Sequence, residues 1–399
     1  MGEDTMNVGA GKTLLIKGPA SVKLVSGSGK VFGYALTQKK PLFVRDSRAL
    51  PIFTEVGMEV EVSLGEGSSV EVVDRDTIPD DWKALVTQTV RNHKKIVVMG
   101  GTDSGKTSLT TFIINSLVNE GKKACLVDLD LGQSNICPST TVGLVWTTKP
   151  IPDLYQLKAE LIAPVGFTSP SFAKEYHLKR AGELLGYAIK DEGYVVVDCD
   201  GWIEGKDAEE HKLNLLNVVK PSLVIFLGSA QHKVETYCKD AGIEHVVVSK
   251  PEYVYKRDQE ARRRLRESSF RRYLKDGTIK TIPISWLRLS TIPMEAFNVE
   301  GNPLKHMQSL IEAYNLQNTT LPPLNAGSLS KNRVGILSYL FDAEERCLGI
   351  GLVGEVDNKR STIKLYSKVE TIPKKLVIGC MLLSYHGDEL FVWTTHPTS

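Results

Sequence analysis

Eight consecutive residues, Gly100, Gly101, Thr102, Asp103, Ser104, Gly105, Lys106 and Thr107, satisfy every fixed position of G-x-x-x-x-G-K-[ST]. The glycines let backbone N–H groups converge on phosphate oxygens, and a helix starting there adds the favourable end of its dipole. Lys106 supplies a cation that reaches the β- and γ-phosphates of a nucleoside triphosphate. The Thr107 hydroxyl is a ligand for Mg²⁺. With Ser108 the stretch reads as a complete nucleotide cradle. Two nearby imitations fail. Residues 9–13 would need glycine at position 6, where Met6 stands, and residues 26–30 are followed by Val31.

Three further groups could act on a bound triphosphate. The run "CLVDLDLGQ" carries Asp128, Asp130 and Gln133 at the end of an apolar strand. Strand C-termini in open α/β sheets face the ligand crevice. Two residues apart, Asp128 and Asp130 are expected on one side of that strand. A carboxylate there can hold Mg²⁺ through water, or accept a proton from an attacking hydroxyl. The run "YVVVDCDGWIEG" offers Asp198 or Asp200 as a second acid and sets Trp202 after a glycine. An aromatic on the crevice rim stacks on a base or sugar; the alternative is a tryptophan packed under a loop. Residues 255–275 carry nine basic and three acidic side chains. Arg262 and Arg266 share a helix face, with Arg257 about a turn earlier. Planar guanidinium groups match phosphate oxygens, and a closing lid could bring them to a transferring phosphoryl group. The same helix would also serve as a nucleic-acid backbone contact or a solvated basic surface.

These groups need a scaffold, and the texture of the chain supplies one. From 86 to 290, short continuous apolar runs ("KIVVMG", "ACLVDLD", "YVVVDCD", "SLVIFLG", "EHVVVS") alternate with helical spacing. That is the pattern of a doubly wound, mostly parallel α/β sheet. Residues 1–85 instead show short alternating runs such as "SVKLV" and "MEVEVSL", the mark of a small antiparallel β-rich domain. From 291 to 399 one helical piece, "PLKHMQSLIEAYN", precedes a second β-rich domain.

Composition narrows the partners. The 399 residues are 42% apolar and 24% charged, with net charge +2. Such a chain buries a sizeable core, and any nucleic-acid site must be a local patch. The six cysteines form no CxxC pair and no zinc spacing, so they read as buried thiols in a reducing compartment. No secretory h-region and no run near 18 apolar residues is present, which points to a cytoplasmic protein without a membrane partner. A switch-type GTPase is disfavoured: Asp130-Leu131-Gly132 is one residue short of D-x-x-G, and neither "TKPI" nor "SKPE" ends in the aspartate that reads guanine.

Together these residues resemble the polynucleotide 5′-hydroxyl kinases. That family includes the kinase subunit of the pre-mRNA cleavage factor, the nucleolar rRNA-processing kinase and archaeal stand-alone members. "GGTDSGKTS" is similar to the family's phosphate loop, "DLDLGQ" to its D-x-G-Q motif and "DCDGW" to its T-x-G-W clasp. "RDQEARRRLR" is similar to its arginine lid. One departure is Cys199, which stands where the clasp usually has threonine. The resemblance implies a central P-loop kinase domain flanked by two small β domains. It implies Asp130 as general base, Trp202 and Gln133 as holders of the terminal nucleotide, and Arg257, Arg262 and Arg266 as charge over the phosphoryl group. The N-terminal domain of relatives helps bind adenine, which here implicates Arg48. The implied reaction moves the γ-phosphate of ATP, with Mg²⁺, to the 5′-hydroxyl end of single-stranded RNA or DNA, alongside RNA-processing proteins. A non-catalytic ATP-binding scaffold and a hydrolysing P-loop switch are the competing expectations.

Overall fold

The structure is a computed structural model that describes residues 3–292, 302–318, 323–325 and 329–393. The ends of the expected β pattern at Thr394 and Thr395 lie outside the described residues. The chain forms two compact units that interleave in sequence. The first takes residues up to Leu129, Leu144–Lys158 and Leu185–Ala261; the second takes Asp130–Gly143, Ala159–Leu184 and the chain from Arg262 on.

The first unit opens with two small antiparallel sheets. One orders Glu3–Val8, Met58–Leu64, Ala20–Gly27 and Leu42–Val44. The other orders Tyr34–Ala35, Lys30–Val31, Ala49–Thr54, Lys12–Lys17 and Ser69–Val73. Their alternating apolar residues, Leu14, Ile16, Leu50, Ile52 and Val60 among them, are wholly buried in one cluster. Each such side chain contributes roughly 1.5–3 kcal/mol.

The same unit holds the parallel strands Ala124–Asp128, Tyr194–Asp198, Lys95–Met99, Leu223–Leu227 and Glu244–Val248, adjacent in that order. Three inner strands, Ala124–Asp128, Tyr194–Asp198 and Leu223–Leu227, are buried at every position. This explains why they read as unbroken apolar runs rather than alternating ones. Helix Lys106–Asn119 ties the sheet to the N-terminal strands. Its buried Asn115 donates through Nδ2 to the carbonyls of Phe32 (2.8 Å) and Ile151 (2.7 Å), and its Oδ1 accepts from Ile151 N–H (2.8 Å). A buried amide is stable only when its polar atoms are matched in this way.

In the second unit a mixed sheet orders Thr278–Pro283, Thr362–Ser367, Cys347–Asp357, Val334–Phe341, Lys375–Ser384 and Arg288–Thr291. Helix Pro303–Gln317 buries Met307, Leu310, Ile311 and Tyr314 in the same core. Asn302 caps its start by accepting from Leu304 and Lys305 N–H. Among the described residues no helix is long and apolar enough to cross a membrane.

Candidate active site

Strand Lys95–Met99 delivers the chain to Gly100, and helix Lys106–Asn119 carries it away. Between them the backbone turns sharply. Gly105 has φ +102°, a conformation L side chains rarely adopt, and a Cβ there would lie 3.0 Å from Pro251 Cδ. Asp103 also has positive φ, +52°, which aspartate tolerates better than most residues. Lys106 is 7% exposed and donates from Nζ to the Gly101 carbonyl at 2.8 Å, so its ammonium lies across the loop.

Thr107 Oγ1 donates to Asp198 Oδ2 at 3.1 Å. Asp198 and Asp128 are register partners on neighbouring parallel strands, and both are buried. The structure therefore distinguishes the two acids of "DCD": Asp198 faces Thr107, while Asp200 turns to Lys212. A hydroxyl with one or two carboxylates is a hard-oxygen set that fits Mg²⁺ when phosphates and water supply the remaining ligands. Among the described residues no group of three or more His, Cys, Asp or Glu could hold a metal alone.

Asp130 departs from the expected strand position. The strand ends at Asp128, so Asp128 and Asp130 do not share a strand face. Asp130 Oδ1 instead accepts the N–H groups of Gly132 and Gln133, both at 2.9 Å. Short polar side chains compete with sheet ladders for backbone donors, and here the carboxylate ends the strand by closing a turn. The turn fixes the carboxyl group, keeps Gln133 adjacent and leaves both residues partly exposed in the second unit.

The tryptophan loop lies in the first unit. Trp202 is half-buried, its indole 5.6 Å from the His211 ring centroid. Gly201 is pressed against the phosphate loop: a Cβ on it would come within 2.5 Å of Thr102 Oγ1. Thr102 Oγ1 in turn donates to the Gly201 carbonyl at 3.3 Å. Cys199 is buried, and burial pushes its thiol up to about 12, so it stays neutral.

The arginines divide. Arg257 precedes helix Gln259–Leu274 and is bound within the first unit. Its N–H and Nη1 donate to the Asp103 carboxylate at 3.1 and 2.8 Å, and Nε donates to the Ser47 carbonyl at 3.2 Å. Arg262 and Arg266 lie on the helix in the second unit, both partly exposed. Arg266 makes a two-pronged pair with Glu389, at 2.7 and 2.9 Å. Sequence spacing identified the arginines; the Asp103 and Glu389 partners come from distant segments and leave no local signal.

Around Asp153 a cluster joins Arg48, which the family resemblance implicated, to Arg45, Asp153 and Tyr155, which no sequence signal marked. Asp153 lies 3.4 Å from both Arg45 and Arg48, and Arg45 stacks 3.8 Å above the Tyr155 ring. Burial lowers the Arg48 guanidinium below its ordinary value, with Asp153 opposing. Burial would raise the Asp153 carboxyl, but Arg48 and Arg45 hold it below the usual carboxylate range. Removing one member of a buried pair strands the other charge. Asp153→Ala is expected to cost about 3–5 kcal/mol, read by chemical denaturation. Because the folded pKa lies below the unfolded one, this stabilisation is present above the ordinary carboxylate range and is lost as pH falls through the folded value. The gap between wild type and variant should therefore narrow on acidification.

Comparison with known proteins places this arrangement. Residues 100–276 match the family described as mRNA cleavage and polyadenylation factor CLP1 P-loop. A polyribonucleotide 5′-hydroxyl-kinase of Methanocaldococcus jannaschii is 30% identical over 323 residues, covering 74% of this chain and 89% of that protein. One from Pyrococcus furiosus is 29% identical over 340 residues, covering 78% and 95%. A solved Clp1p structure, determined in complex with Pcf11p, superposes with a TM-score of 0.71 at 14% identity, covering 95% of this chain and 97% of that one, and shares the fold. The chain belongs to the CLP1-type P-loop family of polyribonucleotide 5′-hydroxyl-kinases.

Proposed function

We propose that this chain transfers the γ-phosphate of ATP to the 5′-hydroxyl of an RNA end, accepting DNA ends by the same chemistry. The observation that carries the reading is the joining of the phosphate loop to the tryptophan loop through Thr102 and Gly201. A hydrolase needs only to orient water. Here an aromatic suited to stacking on a nucleotide is fixed to the loop that holds the phosphates. Family membership supports the same conclusion.

The residues divide the work as follows. The loop N–H groups from Gly100 to Ser108 and the Lys106 ammonium hold the triphosphate. Arg48, whose Nε faces Asp153 and whose buried Nη2 finds no hydrogen-bond partner among the described residues, contributes from the turn before strand Ala49–Thr54. Thr107, Asp198 and Asp128 would hold Mg²⁺, which neutralises phosphate charge when bound. Asp130 orients the 5′-hydroxyl and takes its proton. Trp202 and Gln133 place the terminal nucleotide. Arg262 spreads the charge of the transferring group, with Arg266 nearby on the same helix and held by Glu389, and Arg257, through Asp103, fixes the start of that helix. Positioning and electrostatics are most of what phosphoryl transfer requires. Domain limits of 1–85, 86–290 and 291–399, a cytoplasmic setting and RNA-processing partners complete the proposal.

Trp202→Ala tests the acceptor assignment. Loss of base stacking costs about 1–3 kcal/mol, so the KM for a 5′-hydroxyl oligonucleotide should rise about 5- to 150-fold while that for ATP stays near wild type. Equal changes in both would mean that Trp202 only packs the loop.

A further inference from the structure

The Trp202 loop is fixed from below by a buried ion pair. Asp200 is 3% exposed and lies at the base of the loop. Its Oδ1 accepts the Trp202 backbone N–H at 2.8 Å. Its Oδ2 accepts from Lys212 Nζ at 2.5 Å. Lys212, on helix Lys206–Val219, is fully buried. A lysine with no exposure costs several kcal/mol in desolvation, a penalty that can exceed what a carboxylate partner such as Asp200 returns. An apolar residue would fill the same place at less cost. The neighbouring His211, one residue earlier on that helix, lies against the indole. Gln231 Nε2 donates to the Ile203 carbonyl on the other side of Trp202. The loop is thus held at Gly201 by Thr102, at Trp202 by Asp200, and at Ile203 by Gln231.

Resting on the kinase reading above, we infer that Lys212 and Asp200 are positioning residues for acceptor recognition. Lys212 fixes the Asp200 carboxylate, the carboxylate fixes the Trp202 backbone, and the indole is thereby set at one angle against the phosphate loop. Their contribution is a pre-ordered stacking surface for the terminal nucleotide, not contact with the phosphates. Preorganisation of this kind lowers the entropy lost when the acceptor binds.

The test is a double-mutant cycle on the full chain with Lys212→Met, Trp202→Ala and the combined variant. KM is measured separately for a single-stranded 5′-hydroxyl RNA oligonucleotide and for ATP. Lys212→Met is expected to raise the oligonucleotide KM about tenfold, with the ATP KM within about twofold of wild type. In the Trp202→Ala background it should add nothing further. An unchanged oligonucleotide KM, or a penalty that persists in full without the indole, overturns the inference. Should Lys212→Met fold poorly because Asp200 is left buried and charged, Asp200→Asn with Lys212→Met removes both charges. The amide oxygen can still accept Trp202 N–H but is no longer held in place by Lys212, so the same acceptor-specific rise is expected; wild-type KM values in that variant would refute the role. Wild-type protein that transfers nothing to the oligonucleotide defeats the kinase reading and this inference together. Transfer by wild type with no effect at Lys212 defeats this inference alone.

Discussion

Replacing Lys106 by alanine should lower phosphoryl transfer by on the order of 10³-fold, the scale for losing a preorganised electrostatic contact to a developing charge. The site makes a structural escape from this result difficult. Lys106 is the first residue of its helix, and its ammonium donates to the Gly101 carbonyl within the loop. Alanine has the higher helix propensity and leaves no buried side-chain charge behind. Circular dichroism and the melting midpoint should therefore stay near wild type while single-turnover transfer collapses. ATP affinity should fall as well, because the same ammonium binds the ground-state phosphates. A variant with reduced ATP affinity but near-normal transfer at saturating ATP would remove Lys106 from the transition state.

Asp130→Asn should have the second-largest effect and the cleaner interpretation. Both backbone N–H groups of the turn, from Gly132 and Gln133, go to the same carboxylate oxygen. An asparagine Oδ1 can accept both, so the turn should persist. What is lost is the group that takes a proton. General-base removal costs about 10²- to 10⁴-fold in rate, and ATP binding should be unchanged in equilibrium titration. Near-normal turnover in this variant would show that Asp130 only shapes the turn. Asp130→Ala separates the two roles from the other side, since it removes turn and base together and should also lower stability.

These predictions draw on what was legible in the sequence and on what was not. The parallel sheet was legible because strands buried on both faces leave continuous apolar runs, and the small β sheets because half-buried strands alternate. The phosphate loop was legible because its spacing and its strand-to-helix context occur in one segment. The turn at Asp130 was misread. Period-two spacing placed Asp128 and Asp130 on one strand face, but the carboxylate captured the next two backbone donors and ended the strand. Contacts between distant segments left no trace. Nothing local to Asp103 marks Arg257 as its partner, and nothing in "DCDGW" marks Lys212. The Asp153 cluster joins two arginines, from the connection between strands Leu42–Val44 and Ala49–Thr54, to a residue more than a hundred positions away. Such pairings become visible only once the fold brings the segments together.

The central claim is that the phosphate goes to a nucleic-acid 5′-hydroxyl rather than to water. The most direct measurement incubates the chain and Mg²⁺ with γ-labelled ATP and one RNA strand in two forms, ending in a 5′-hydroxyl or a 5′-phosphate. The account predicts label on the 5′-hydroxyl strand, none on the 5′-phosphorylated strand and little free phosphate. Free phosphate released at the same rate with or without RNA, and an unlabelled 5′-hydroxyl strand, would contradict it.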